Sequence, residues 1–578
     1  SSTLGRGARA RGGRAEMARA GHAYPQVEPG AIALMDGAVV ACAGATRVAR
    51  ALERARAAGA RVVVTGPRQA VRTPELARAV DWGLGPRPVR EVAWRGLPVV
   101  PADASEIEVR RQLLAGVSLV LLRRAGRIVG AVDGETVDLL HAQSSLLSRL
   151  ERSADRHAEA RLWLLRSAGK IGEGMGTPVH AVGGFVRDLL LGRDAPDVDL
   201  VVEGDGIAFG RRLGEEIGGT VLVHGSFGTA SIEGGRAPAG AGVDGAPLGR
   251  VDVASTRRER YALAGALPDV SPAGLLEDLR RRDFSVNAMA MALAPDRFGH
   301  LLDPLGGQRD VRARRLRTLR PLAFVEDPTR IFRAARYAAR LGLRLDPQTR
   351  AAIGHAVARR SYVALSGQRL WREIELAAAE SRARQVFEHL VRWRAVTLLG
   401  VSNVSAGRLA DADRLGRWAR TIGVAVDPAE LFMLALLAGS SATAVARCLD
   451  RLRLSGEPRA NLEAGAMAGP LARRLGAPRL RPSAVDDVLR PVPPAAALSA
   501  WLRGSAAARR RIEWYLATGR AVQPRLSGAD LLALGMPRGP QVGRALARLR
   551  RCRLDGAVGS VAEERELVKE WLTSGKEA

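Results

Sequence analysis

The chain has 578 residues, 47% of them hydrophobic, which is too long for one core and implies about three or four domains. A formal net charge of +28, from 88 lysine and arginine residues against 60 aspartate and glutamate, points to a phosphate-rich partner. Cys42, Cys448 and Cys552 lie far apart, which argues against a disulfide framework or a zinc site and fits a reducing cytoplasm, and no apolar run reaches the roughly 18 residues of a membrane span. Lysine occurs only at Lys170, Lys569 and Lys576; a GC-rich coding sequence would give the same bias towards arginine, but not the positive excess.

Residues 1–29 are basic and glycine-rich, lack the apolar centre of a signal peptide, and read as a disordered end, the cut edge of a longer protein. Residues 30–142 read as two short α/β units. The first has a helix over 47–58 and a strand over 61–65. The second has a strand at 99–101, a helix over 105–115, and strands over 118–122 and 128–132 about an Ala125-Gly126 turn. This β-α-β-β order resembles a CBS module, with the first unit as its degenerate partner. The resemblance implies adenine-nucleotide binding and homodimerisation, although residues 130–136 do not keep the order of Thr and Asp through which such pairs bind. The pair is therefore read as either structural or nucleotide-binding. Residues 143–170 read as a helical linker.

Over 171–320 the chemistry-bearing residues appear. A strand at 179–182 ends at Gly183-Gly184, where no Cβ blocks approach of the backbone to a ligand, and a helix follows. Backbone N–H groups at such a turn cradle an anion, and Arg187 adds a charge. On the next strand, 198–202, Asp197 and Asp199 stand two apart and share a face. Paired hard oxygen ligands beside a phosphate cradle suit Mg²⁺-assisted nucleotidyl transfer. A helix over 206–217 and a hairpin of 220–224 with 229–233 follow. The Gly-, Ala- and Pro-rich stretch 234–249 reads as a mobile surface insertion. Asp252, in a strand over 251–254, completes a carboxylate triad if that strand neighbours the first two; otherwise it faces solvent. Of the consecutive Arg280, Arg281 and Arg282, which face different directions on a helix, Arg282 beside Asp283 is assigned to a triphosphate. The other two are assigned to a solvated surface, and Asn287 to a local helix hydrogen bond.

From residue 320 the pattern is helical, with breaks near 343–347, 400–407, 455–457, 491–494 and 521–527. Pro328 fits the first turn of a helix and makes Asp327 its N-cap. The functional alternative has Asp327 and Arg330 offering an acceptor and donors to a base edge. Arg333 and Arg336, about one turn apart, would then bind phosphate.

Four segments, Gly183-Gly-Phe-Val-Arg-Asp188, Asp197-Val-Asp199, Arg281-Arg-Asp-Phe-Ser-Val-Asn-Ala288 and Glu326-Asp-Pro-Thr-Arg-Ile-Phe-Arg333, resemble in order and spacing the bacterial class II tRNA nucleotidyltransferase/poly(A) polymerase family. Ser366-Gly-Gln-Arg-Leu-Trp-Arg-Glu373, Ser527-Gly-Ala-Asp-Leu531 and Gly535-Met-Pro-Arg-Gly-Pro540 resemble its later helical motifs, so the likeness covers roughly 175–570. A subgroup with CBS modules ahead of this head also carries an N-terminal DHH phosphoesterase-like domain, which is missing here and suggests a truncated start.

The resemblance implies a multidomain chain. An α/β CBS-like pair precedes an α+β nucleotidyltransferase head of polymerase beta-like fold (171–320). An all-α neck for base recognition (321–385) and a tRNA-binding body and tail (386–578) follow. It implies Mg²⁺ on Asp197 and Asp199, with Asp252 as the third carboxylate; Gly184, Arg187 and Arg282 on the triphosphate; and Asp327 and Arg330 reading CTP or ATP. The implied reaction is template-independent addition of C, A or both to the tRNA 3′ end. The stretch 257–270, the family's specificity loop, looks compact, which favours CC addition with a complementary A-adding partner enzyme. Full CCA addition, A-only addition and poly(A) synthesis remain as alternatives. So does a non-catalytic RNA- or nucleotide-sensing CBS protein, although the presence of both metal carboxylates argues against it.

Overall fold

The computed structural model describes residues 38–573 except 135–141, 147–149, 151–155, 194–196, 226–227, 240–242, 360–361, 363 and 403. The end expected to be disordered, 1–29, lies outside the described residues. Two units of the same strand order come first. In one, β1 (Val39–Ala41), the helix Val48–Ala57, β2 (Val62–Gly66) and β3 (Gln69–Arg72) are followed by the helix Thr73–Asp81 and β4 (Trp94–Arg95). The other runs β5 (Val99–Pro101), helix Glu106–Leu114, β6 (Leu119–Arg124) and β7 (Arg127–Asp133), its helix opened by the Ser105 hydroxyl accepting from the Glu108 N–H. In both, the first pair of strands is parallel and the next antiparallel.

The two units share an apolar seam of Val62, Val64, Ala70, Trp94, Leu119 and Leu121. At its end Arg72 forms a two-pronged ion pair with Asp133 (2.6 and 2.7 Å), both side chains largely buried. Arg72 closes β3 opposite Val62, and Asp133 closes β7 opposite Leu119, so the partners occupy equivalent positions in the two units.

The stretch read as a helical linker does not begin as a helix. Residues Ala142–Ser145 form β8, which pairs with β17 (His300–Leu302), and the helix follows at Arg156–Gly174. Between them in sequence lie β9 (Val179–Val182), β10 (Val198–Val202), β11 (Thr220–His224), β12 (Thr229–Glu233), β13 (Val251–Ser255), the ribbon β14 (Arg257–Arg260) with β15 (Asp269–Pro272), and β16 (Ala290–Ala292). The head sheet has the order β11-β12-β13-β10-β9-β16-β17-β8, with β10 and β13 parallel and at its centre. The buried positions of these two strands are Val and Leu (Val198, Leu200, Val251, Val253), with Asp199 and Asp252 between them on the other face, and the helix Gly206–Ile217 packs over β12 and β13. The stretch 234–249 is not merely a surface insertion: Ala237 and Leu248 are buried in the core, and Arg236 bridges to Pro247.

The second unit sits directly on the head. Gly116, at φ +84°, packs against the Leu305–Gly306 turn so closely that a Cβ would stand 2.3 Å from the Leu305 carbonyl oxygen. Arg317 of the head donates to the Gly116 carbonyl (2.6 Å), and Arg280 donates to the Gly134 carbonyl. From Thr329 the chain is almost wholly helical, and residues beyond 520 close on a small core of their own around Leu531, Leu549 and Trp571.

Candidate active site

β9 delivers the chain to Gly183, whose φ of +67° and ψ of −127° suit glycine alone, and the helix Gly184–Leu190 begins at once. A Cβ at Gly183 would lie 3.3 Å from Asp199 Oδ2 and 3.1 Å from Arg282 Nη1, so a bare backbone, a carboxylate and a guanidinium meet here. Asp199 on β10 stands opposite Asp252 on β13 in parallel register, with Asp197 two residues earlier. Burial pushes the Asp199 carboxyl up; Arg282 opposes this, Asp252 and Asp197 add to it, and the net direction is upward. A half-buried carboxylate crowded by two others is a group short of positive charge, and its oxygens are hard donors, so Asp197 and Asp199 fit a divalent cation.

The strand carrying Asp252 is the direct neighbour of β10, as a triad requires, and Asp252 lies close enough to Asp199 to add to the upward push on it. The Asp252 carboxylate accepts from the Ser231 hydroxyl (2.6 Å) and from Arg250 Nε (3.0 Å to each oxygen). Arg250, just ahead of β13, thus pairs with it, and among the described residues no group of three or more His, Cys, Asp or Glu side chains is gathered as a metal cluster.

The arginines are sorted by buried acids. Asp278, fully buried in the helix Leu275–Arg281, accepts from Arg281 Nε (2.8 Å) and Arg282 Nη2 (2.9 Å). Burial alone would raise its carboxyl, but Arg282 and Arg281 outweigh that and hold it below the usual range. Arg282 is thereby aimed at the glycine turn, where it was expected. Arg281 is not a solvated surface residue: it pairs with Glu259 of the ribbon (2.6 Å). Nor is Arg280, which reaches the second N-terminal unit.

Arg187 departs from expectation. Its side chain is buried, chelated by Asp188 (2.9 and 2.7 Å) and donating to Asn287 Oδ1 (2.6 Å), so it braces the turn from behind instead of adding a free charge to it. Asn287 in turn donates to Asp283 Oδ1 (3.0 Å), four residues back, the local bond expected of it, while its own oxygen serves the distant Arg187. Asp283 Oδ2 accepts from Arg333 Nε (2.8 Å).

At the far end of the cleft Asp327 does cap a helix, accepting the Thr329 N–H (3.1 Å), and its other oxygen accepts from Arg369 Nη2 (2.7 Å). Arg330, expected at a base edge, is buried, donating to Glu326 (2.9 Å) and to the Tyr261 hydroxyl (3.0 Å). Arg336 is engaged by Glu373 (3.3 Å) and Glu380 (3.0 Å) and does not line the cleft. Arg333 alone of that pair faces the cleft.

Three residues of the site were not singled out from the sequence: Glu259 and Tyr261 of the ribbon, and Arg369, placed by a helix that the Ser366 hydroxyl caps. The alternation Arg257-Arg-Glu-Arg-Tyr261 was their available signal, a strand with one charged face turned inward. The resulting cleft encloses about 580 Å³ and runs from Gly183, Gly184 and Asp199 past Arg282 to Asp327 and Arg330. A polar trough of this volume, cationic along its length and carboxylate-bearing at one end, has the size and charge for a nucleoside triphosphate.

Residues 179–317 match the family described as Poly A polymerase head domain. The chain is 34% identical over 426 residues to a CC-adding tRNA nucleotidyltransferase of Deinococcus radiodurans, covering 74% of this chain and 97% of that one. It is also 34% identical over 417 residues to an A-adding tRNA nucleotidyltransferase of Geobacter sulfurreducens, a match spanning 69% of this chain but 46% of the relative. Its fold is similar to the Thermotoga maritima CCA-adding enzyme complexed with tRNA, with a TM-score of 0.62 and 26% identity over 74% of this chain and 99% of that one. With the likeness to the Deinococcus protein running nearly end to end, the chain belongs to the class II tRNA nucleotidyltransferase family.

Proposed function

We propose that this protein is a template-independent tRNA nucleotidyltransferase that adds C, A or both, from CTP and ATP, to the tRNA 3′ end. The observation that carries this is the meeting of Asp199, the bare Gly183 turn and Arg282 at one end of a cleft whose other end holds Asp327 and Arg330. In the reaction the terminal 3′-hydroxyl oxygen bonds to the α-phosphorus of the nucleotide, the bond to pyrophosphate breaks, and the hydroxyl proton is released. Asp197 and Asp199 would hold the divalent ions, Mg²⁺ in our reading, which supply charge neutralisation of the nucleophile and leaving group.

Arg282, oriented by Asp278, binds the triphosphate, and the open Gly183-Gly184 backbone lets it approach. Arg187 acts as a brace for that turn. Asp327 and Arg330 offer the base an acceptor and donors once Arg369 and Tyr261 yield them. Arg333 takes a phosphate oxygen at the cleft wall.

The remaining assignments follow the same reading. Residues 321–385 serve base recognition. The helices of 386–578 hold tRNA, supported by the positive charge of the chain and by the fold shared with the tRNA-bound Thermotoga enzyme. The two β-α-β-β units are a CBS-like pair through which two copies associate, and the protein works in the cytoplasm. Among the described residues no helix is long and apolar enough to cross a membrane.

The test is to incubate the protein with Mg²⁺, CTP, ATP or both, and tRNAs ending before CCA, at C, and at CC. Addition of two C residues that stops there makes it a CC-adding enzyme with a separate A-adding partner. Complete CCA makes it a one-enzyme system, and A on the CC-ended tRNA alone makes it the A-adding half. No addition to any tRNA overturns the proposal and leaves poly(A) synthesis or a non-catalytic sensor.

A further inference from the structure

The first N-terminal unit turns a face of unspent positive charge outward. Arg47, at the N-cap of the helix Val48–Ala57, and Arg50 and Arg54 within it stand three and four residues apart, so they form one stripe, and all three are exposed. Backbone pairing brings a second segment alongside. The Val89 N–H donates to the Thr46 carbonyl (2.7 Å), the Arg90 N–H donates to the Gly44 carbonyl (3.1 Å), and Arg47 bridges to Pro88. Exposed Arg90 therefore adjoins the stripe, and Arg95, also exposed, donates to the Arg90 carbonyl (3.2 Å).

On other exposed helices an arginine is matched by an acid one turn away, as Arg384 is by Glu388, Arg417 by Asp413 and Arg459 by Glu463. Here the single acid of the helix, Glu53, stands within a turn of Arg50 but forms no ion pair among the described residues, and Arg54 reaches only the Cys42 sulfur, at 4.0 Å. Asp81, Arg87 and Glu91 lie at the border with the neck, lining one crevice with its His355, and there Arg87 and Glu91 pair (2.8 Å) and cancel. Five exposed arginines thus share the face with one carboxylate.

We infer that this face binds the phosphate backbone of RNA, as a contact additional to the helices of 386–578. Guanidinium groups with free donors match phosphate oxygens two by two. A helical rise of about 1.5 Å per residue spaces the stripe in steps of about 4.5 and 6 Å, comparable with successive phosphates along a strand. A lipid surface fits less well, because a helix seated in a membrane interface sets large apolar side chains beside its cations, and residues 38–95 expose none. A protein partner lacks an apolar anchor for the same reason. That the RNA is tRNA rests on the proposed function; the capacity of the face for an RNA backbone does not.

The experiment measures binding of a labelled tRNA lacking CCA to the full-length protein by fluorescence anisotropy over a range of salt concentrations. Wild type is compared with Arg47→Ala/Arg50→Ala/Arg90→Ala and with Arg123→Ala/Arg124→Ala/Arg127→Ala, which removes equal charge from the exposed end of the β6–β7 hairpin. Among the described residues none of the first three side chains makes a hydrogen bond or ion pair, so folding should hold, which circular dichroism checks. Support is a Kd about tenfold weaker in the first variant and a salt slope smaller by about two or three, with the hairpin variant within about twofold of wild type. The KM for tRNA should rise in the first variant while the KM for CTP and ATP stays unchanged. No binding by wild type, an unchanged Kd in the first variant, or equal losses in both variants overturns the site. Phosphatidylserine vesicles that bind wild type but not the first variant, with tRNA binding unaltered, make the face a lipid contact and also overturn it. If wild type adds no nucleotide to tRNA yet the binding pattern holds, the proposed function fails and the RNA contact stands.

Discussion

Arg369 holds Asp327 and Gly265 at once, with Nη2 2.7 Å from the Asp327 carboxylate and Nη1 2.8 Å from the Gly265 carbonyl oxygen. The residue proposed to read the base and the ribbon beside it are therefore fastened by one guanidinium. Removing it in Arg369→Ala frees both. The expected result is a KM for CTP and ATP raised about tenfold and a smaller preference between them, read from single-nucleotide addition kinetics. A raised KM with the preference intact would limit Arg369 to binding.

Asp199→Asn is expected to lower nucleotide addition by about a thousandfold or more, because the variant loses a charged oxygen donor where charge must be neutralised. Stability should move the other way. Burial, with Asp252 and Asp197 nearby, disfavours the ionised form, so the neutral amide is expected to match or exceed the wild-type melting temperature in metal-free buffer. A variant that is both inactive and markedly less stable would make the carboxylate structural.

Asp278 carries the opposite sign. Burial opposes its charge, but Arg282 and Arg281 prevail and its folded carboxyl lies below the ordinary value. Its contribution is thus full above the unfolded carboxylate pKa of about 4 and is lost as pH falls through the lower folded value. Asp278→Asn is expected to cost about 3 kcal/mol near neutrality, since two arginines lose their buried partner. Urea midpoints measured from neutral to acid pH should show a shallower acid loss in the variant than in wild type.

At Gly116, substitution by alanine meets two obstacles: a φ of +84° and the Leu305 carbonyl oxygen 2.3 Å from the new Cβ. A loss of about 2–3 kcal/mol is expected from chemical denaturation. If the N-terminal units unfold separately from the head, the transition should split in two.

The sequence made legible what short spacing controls. The Gly183 turn, the place of Asp199 on its strand, the cap at Asp327 and the two β-α-β-β units all follow from residues within one or two elements. What it concealed is which arginine is already engaged. Arg187 is claimed by Asn287, 100 residues later, and Arg336 by Glu373 and Glu380, 37 and 44 residues later. In a chain with so many arginines, a motif marks where a cation stands but not which acid folds back onto it. Asp252 shows the same at shorter range: the sequence places it beside Asp199, but not the Ser231 hydroxyl and Arg250 guanidinium that its carboxylate accepts from.

The Arg72–Asp133 pair sets a cation in one N-terminal unit against an anion at the matching position of the other. Had the two halves kept the same residue there, like charges would face each other across a dry seam. As they stand, a unit paired with a replica of itself would bury Arg against Arg or Asp against Asp, a costly arrangement. The pair therefore acts as a polarity key. It makes the halves complementary, not interchangeable, and turns a near-symmetric fold into one that assembles in a single sense.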